Sequence, residues 1–226
     1  MGALITATDV KRGFQSGGDT VWAIRGVSLT VEENKLTILK GRSGSGKTTL
    51  LNILGALDYP TSGSVFFDGT NMTKAGERLR EKIRKHEMGF VYQSVALISM
   101  MTAYENVELI LRINGYPPRE RRRRAESCLE RVGLGARMSH LAPELSGGEQ
   151  QRVAIARAIA HSPKIVFADE PTAELDTNTS LQVVKIFNDL IRDEGATVVM
   201  NTHDPGLMEL ADKVYEIQDG EVTSGG

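Results

Sequence analysis

The sequence holds a single cysteine, Cys128, and one tryptophan among 226 residues. No internal disulfide is possible, which fits a reducing compartment such as the bacterial cytoplasm. No stretch approaches the roughly 18 apolar residues that a membrane helix needs. Residues Met1 to Asp9 lack a basic region followed by a long apolar run, so they do not read as a signal peptide. Work at a membrane is expected to require another chain for the spanning part. A charge excess is missing as well: 27 Lys+Arg stand against 29 Asp+Glu, a formal net charge of −2. Nothing in that balance asks for nucleic acid or an anionic lipid surface, and no direct nucleic acid binding is expected. Internal repeats and low-complexity segments are also absent, and the stretch between Thr48 and Ser146 holds no sustained heptads and no zinc-ligand spacing.

What is present is ordinary for a soluble globular chain: 40% hydrophobic and 25% charged residues. The length suits one large α/β domain, with or without a smaller subdomain, and allows a substantial core without cross-links. Residues 1–39 read as β-rich. Val27–Val31 alternates apolar and polar, and Lys35–Leu39 is a short strand running into a glycine-rich stretch. Leu50, Leu51, Ile53, Leu54 and Leu57 mark a helix from Thr48. Turns follow at Pro60–Gly63 and Asp68-Gly69, flanking a strand over 64–68. The middle, about 74–143, reads as mostly helical. Beyond it, helices at 147–160 and 177–194 alternate with strands at 165–168 and 197–201, the pattern of a buried parallel sheet.

Gly41-Arg42-Ser43-Gly44-Ser45-Gly46-Lys47-Thr48 matches the phosphate-binding pattern G-x-x-x-x-G-K-[ST] in full. The glycines let the backbone turn tightly and aim N–H groups at a phosphate, and the helix that follows presents its positive end to the same anion. Lys47 is expected to reach the β- and γ-phosphates, and Thr48 to offer its hydroxyl to Mg²⁺. Thr49 is a bystander in the motif itself, counted with the loop among the ATP-binding residues.

Ile165–Ala168 ends in two carboxylates, Asp169 and Glu170. Ligands of open α/β sheets bind at the carboxyl ends of strands. Asp169 there is placed to hold Mg²⁺ and Glu170 to polarise an attacking water, since phosphoryl transfer needs positioning and charge neutralisation. The alternative is a pair of surface acids capping a helix. His203 follows the strand 197–201 in the same way. It is either a solvent-exposed histidine or a sensor of the γ-phosphate.

Ser146 and Glu149 in Leu145-Ser-Gly-Gly-Glu149 form a capping box before an apolar helix. Gly147 and Gly148 in that first turn cost about 1 kcal/mol each relative to alanine, which a cap alone does not require. Bare N–H groups at a helix start make a second anion site. Two such sites serve one nucleotide if two copies face each other head to tail.

With this segment the chain resembles the ATP-binding-cassette (ABC) ATPases over nearly its whole length. The motifs stand in family order: the loop at 41–48, Gln93 in Phe90-Val-Tyr-Gln93, Leu145–Glu149, Asp169-Glu170, Glu174-Leu-Asp176 and His203. The resemblance implies a P-loop α/β fold with a parallel-sheet core, an N-terminal antiparallel β region and a helical subdomain. The core would comprise about 1–93 and 144–226, the subdomain about 94–143. It implies ATP and Mg²⁺ as cofactors, with Gln93 touching Mg²⁺ and the attacking water. Ser146, Gly147, Gly148 and Glu149 would meet ATP held by a second copy, with Asp176 at the interface of that homodimer. An early aromatic residue stacks on adenine in this family. Phe14 fits the position and Trp22 is its rival.

Leu57–Gly63, Gly89–Gln93 and Thr102–Val107 are similar to ATPases of lipoprotein release, macrolide or haem export, antimicrobial-peptide resistance and cell division. An integral-membrane permease and a place on the cytoplasmic face of the bacterial membrane are implied. A soluble relative acting on nucleic acid or ribosomes is the alternative. Two features stand apart from this pattern. The relatives usually carry a Leu-Pro or similar turn near Ile98-Ser99, where this chain reads Ser94 to Met101, and Met100 and Met101 there suggest either an adaptable apolar surface or core packing. Arg119–Arg124 reads as a solvated helix face, with a phosphate or lipid-headgroup contact as the other possibility.

Overall fold

The computed structural model describes residues 2–225. Two sheets and a set of helices divide the apolar residues into two cores. β1 (Ala3–Ser16) and β2 (Asp19–Glu32) form a long antiparallel ribbon, extended by β4 (Ser62–Phe67) and β5 (Thr70–Asn71) in the order β2-β1-β4-β5. The second sheet runs β10-β9-β3-β8-β7-β6, from β3 (Leu36–Lys40), β6 (Met88–Val91), β7 (Ile165–Asp169), β8 (Thr197–Asn201), β9 (Lys213–Gln218) and β10 (Glu221–Gly225). Its strands are parallel except for the edge strand β10.

Both faces of the central strands β3, β7 and β8 are covered, so these are buried nearly throughout, whereas β9 alternates. Leu39, Ile165, Phe167 and Val199 face α1 (Lys47–Leu54) and the antiparallel ribbon. Ile38, Val166, Ala168, Val198 and Met200 face the opposite core, which also takes in residues of α3 (Ala103–Ile113), α4 (Pro118–Arg131), α5 (Gly147–Ile159) and α6 (Thr177–Asn188). α2 (Glu77–Glu87) precedes β6, and α7 (Pro205–Glu209) follows β8.

The expected strands and helices are present, but β6 lies inside the stretch expected to be mostly helical, β4 begins within the expected turn at 60–63, and three further differences stand out. The expected helix over 48–57 is α1, ending at Leu54 before a left-handed Ala56 at φ 58. The single helix expected over 177–194 is α6 followed by a π-helical turn at Asp189–Asp193. The arginine run opens α4 and only partly meets the expectation of a solvated face. Arg122 is exposed and paired with Glu126. Arg121 instead turns in to Glu108. Arg124 bonds Glu120 and lies over the Tyr116 ring, 4.6 Å from its centroid.

Candidate functional site

Four neighbouring strands, β3, β8, β7 and β6, deliver their carboxyl ends to one cleft of about 400 Å³. The loop after β3 contributes Ser43, Gly44, Gly46, Lys47, Thr48 and Thr49. Gln93 comes from beyond β6, Asp169 and Glu170 from the end of β7, and Asn201 and His203 from the end of β8. Ala23 of β2 completes the wall.

The loop is braced before any ligand is considered. Gly220, in the β9–β10 turn, donates its N–H to Ser45 O at 3.1 Å. A side chain at Gly41 would put its Cβ 2.1 Å from Ile217 O, so only glycine fits there. Lys47 is buried, and its Nζ donates to Gly41 O at 2.6 Å and Arg42 O at 2.9 Å. Burial pushes its pKa down, while Glu170 and Asp169 pull it back up. An ammonium bonded only to carbonyls at the start of a helix can exchange them for anionic oxygens. Ser45 Oγ is buried without a hydrogen-bond partner, as a group awaiting a ligand would be.

Asp169 and Asn201 are register partners at the ends of β7 and β8. Asn201 Nδ2 donates to Asp169 Oδ1 at 2.6 Å, which holds the carboxylate toward the cleft. The acceptor-only carboxylate sets the amide's orientation and leaves Asn201 Oδ1, itself buried, without a partner. Glu170 follows in a left-handed conformation, φ 47, with its N–H donating to Asn201 O at 2.8 Å. Burial raises the Glu170 carboxyl above the ordinary range, and His203 and Lys47 act to lower it. His203 Nε2 lies 3.5 Å from Glu170 Oε1. Gln93 Nε2 donates to Glu174 Oε1 at 3.3 Å, so its carbonyl oxygen is the end left free.

The cleft fits a divalent cation carried with a phosphate. Thr48, Gln93 and Asp169 are all oxygen donors on its wall. Among the described residues no cluster of three or more His, Cys, Asp or Glu could hold a metal ion alone. Mg²⁺ usually keeps waters and takes oxygens from phosphate, so the few oxygen donors on this wall are enough to fit it.

The remaining sequence-predicted residues lie outside this cleft. Gly41 and Arg42 border an adjoining hollow of about 280 Å³ with the β9–β10 hairpin. Ser146 caps α5 as its sequence implies: Glu149 N–H donates to Ser146 Oγ at 3.2 Å and Ser146 N–H to Glu149 Oε2 at 2.9 Å. These bonds hold the Glu149 carboxyl below its ordinary range. Gly147 is open, and a Cβ placed there would meet no atom within 4 Å. Gly148 has a packing reason that the sequence did not disclose, because a Cβ there would meet Thr179 Cγ2 at 2.0 Å. Asp176 caps α6, accepting from Asn178 N–H, Thr179 N–H and Thr179 Oγ1. The starts of α5 and α6 are thus locked together at Gly148 and Thr179.

Phe14 and Trp22 are both exposed, at 44% and 40%, on the β1–β2 ribbon. Met100 is 87% exposed, which favours the surface alternative over core packing, and Met101 is half-buried. Their turn is held by the buried Asn106, whose amide bonds backbone atoms of Ile98, Met101 and Thr102. Sequence reasoning missed Asn201. A polar residue ending an otherwise apolar strand beside His203 was its only signal.

A family model described as ABC transporter matches residues 24–173. The lipoprotein-releasing system ATP-binding protein LolD of Pseudomonas fluorescens is 40% identical over 222 residues, covering 98% of each chain. The macrolide export ATP-binding/permease protein MacB of Syntrophobacter fumaroxidans is 42% identical over 97% of this chain, which spans 31% of that longer protein. Among solved structures, a dimeric post-hydrolysis state of the ATP-binding cassette MJ0796, bound to ADP and Pi, superposes with a TM-score of 0.91. It is 38% identical and the match covers 98% of this chain and 97% of that one.

Proposed function

Because this chain belongs to the ABC transporter family of ATP-binding domains, we propose that it is one half of a paired ATPase that drives a separate membrane permease. ATP closes two copies head to tail, hydrolysis opens them, and the permease reads the motion. Such coupling requires that ATP favour the closed state over the open one. The observation that carries this proposal is the convergence of Lys47, Asp169, Glu170, His203 and Gln93 on one cleft.

In the proposed reaction the loop amides and Lys47 cradle the phosphates. Thr48, Asp169 and Gln93 would hold Mg²⁺, which supplies neutralisation of phosphate charge. Glu170 orients and polarises the attacking water, and burial suits it to that task by raising its proton affinity. His203 contacts the γ-phosphate. Ser146–Glu149 of one copy would complete the site of the other, and the exposed amide end at Gly147 supports that role. Asp176 would lie at the interface, and Phe14 would stack on adenine.

No helix among the described residues is long and apolar enough to cross a membrane. The likeness to LolD, which covers 98% of that protein, supports a permease on a separate chain, with this one on its cytoplasmic side. A helical subdomain over about 94–143 is supported by α3 and α4, which pack on each other and on α5 rather than joining a sheet. The exposed turn at Met100 is a candidate contact for the permease. The names of LolD and MacB favour an export or release system, without giving the cargo.

The decisive experiment is Glu170→Gln, with ATPase rate and oligomeric state measured together. Hydrolysis is expected to fall by orders of magnitude while an ATP-bound dimer accumulates. Unchanged hydrolysis would remove Glu170 from the role given to it.

A further inference from the structure

Asp58 lies four residues beyond α1, the helix that begins at Lys47, and it is bonded to the strand that carries Phe14. Arg12 Nε donates to Asp58 Oδ2 and Arg12 Nη2 to Asp58 Oδ1, each at 2.9 Å. Both side chains are mostly buried, at 25% and 28% exposure. The same guanidinium lies over the Phe14 ring, 4.5 Å from its centroid. A planar guanidinium can do both at once, since the fork bonds the carboxylate in its plane while its face meets the ring.

The surrounding backbone is tied in the same place. Thr61 N–H donates to Lys11 O at 2.7 Å, and Gly13 N–H donates to Thr61 Oγ1 at 3.1 Å. Asp58 is held from its other side by the fully buried Arg80, whose Nη2 donates to Asp58 O at 2.7 Å. The ribbon is irregular here: Arg12 pairs with Ile24 and Gly13 with Trp22, leaving Ala23 as the extra residue. A bulge of this kind re-aims the side chains beside it.

We propose that Arg12, anchored by Asp58, is a positioning residue that sets the Phe14 ring for the adenine base. It rests on the adenine-stacking role given to Phe14 above. The guanidinium covers one face of the ring, and the 44% exposure of Phe14 leaves ring surface that a base would use. Through Asp58, the base platform is fixed relative to the helix whose start holds the phosphates. Distance between platform and phosphate loop is thereby set by an ion pair rather than by the ribbon alone.

The test compares ADP with inorganic pyrophosphate by calorimetry on the intact chain, because their affinity ratio isolates what the nucleoside adds. Arg12→Ala is expected to weaken ADP about fivefold, in line with a partly exposed cation–π contact, and to leave pyrophosphate within about twofold. Arg12→Lys should restore part of the ratio, and Asp58→Asn should reproduce part of the loss in a milder background. Equal weakening of both ligands would mean a general structural role and overturn the proposal. Unchanged or tighter ADP binding would also overturn it, the latter by showing that Arg12 occupies the seat of the base. Phe14→Ala separates the two levels. A fall in the ratio for F14A but not for R12A or D58N removes only the positioning role, whereas an unchanged ratio for F14A removes the stacking role itself.

Discussion

Asn201 Nδ2 donates to Asp169 Oδ1 at 2.6 Å across two adjacent strand ends. One amide thus orients the carboxylate assigned to Mg²⁺, while its backbone carbonyl accepts from Glu170 N–H at 2.8 Å. A single residue at the end of β8 steadies both acids, and its loss should be felt in metal dependence before it is felt in stability. For Asn201→Ala, the Mg²⁺ concentration giving half-maximal ATPase activity is expected to rise several-fold. Asn201→Asp should be worse, because it sets a second negative charge against Asp169. A metal titration of the two variants checks this order.

Removing the His203 side chain should separate turnover from nucleotide binding. His203 reaches the cleft beside Glu170 but does not contact the phosphate loop in the hydrogen-bond network. Donors that act mainly on transferring groups are worth about 10²–10³ in turnover. His203→Ala should therefore lower kcat by about a hundredfold and leave ADP affinity within a factor of two, as calorimetry and steady-state rates would show.

Asp176 serves as the cap of α6, and its proposed interface role can be tested apart from that duty. Asn caps a helix about as well as Asp, whereas Ala costs about 1 kcal/mol. Asp176→Ala should lower the melting temperature by about 2–4 °C in a chain of this size. Asp176→Asn should keep the melting temperature, so any loss of ATP-induced dimerisation in that variant reports the interface.

Gly148 and Thr179 should behave as one unit. Gly148→Ala forces a Cβ to within 2.0 Å of Thr179 Cγ2. Overpacking of this kind costs about 1–3 kcal/mol. Thr179→Ala removes the clashing methyl, so the double variant should be more stable than the sum of the singles predicts. A thermal-unfolding double-mutant cycle measures the difference.

His161 supplies a pH dependence whose sign can be worked out. Its ring is buried and bonded to Met88 O, and burial lowers its pKa below the ordinary 6.5. As pH falls through 6.5 the unfolded chain takes up a proton that the folded chain resists, so stability is lost between that value and the lower folded pKa. Replacing His161 with Asn should flatten this slope. Melting temperatures across pH 5 to 8 compare the two chains over roughly the window where histidine titrates.

Much of the site was legible because its parts announce themselves locally. The loop Gly41–Thr48 and the acids Asp169-Glu170 each sit at the end of a short apolar strand, where periodicity and position agree. The capping box of Ser146 and Glu149 was equally readable from spacing. What stayed hidden depends on partners far along the chain. Gly148 needs Thr179 beside it, and Gly41 needs Ile217. Arg80 is buried despite its charge because Ala56, Asp58 and Met72 supply carbonyl acceptors and Tyr59 a ring face. The β9–β10 hairpin was not anticipated, since β9 gains its place only from pairing with β3, and β10 only from pairing with β9.

That hairpin carries no chemistry of its own, yet it decides how much order remains to be imposed when nucleotide arrives. Ser45 O is already claimed by Gly220, and Gly41 already lies against Ile217. A loop shaped in advance surrenders little chain entropy on capturing a phosphate, so more of each contact is kept as affinity. The cradle is prebuilt, and the remote turn that steadies it is a site where affinity can be tuned without touching a single ligand-facing atom.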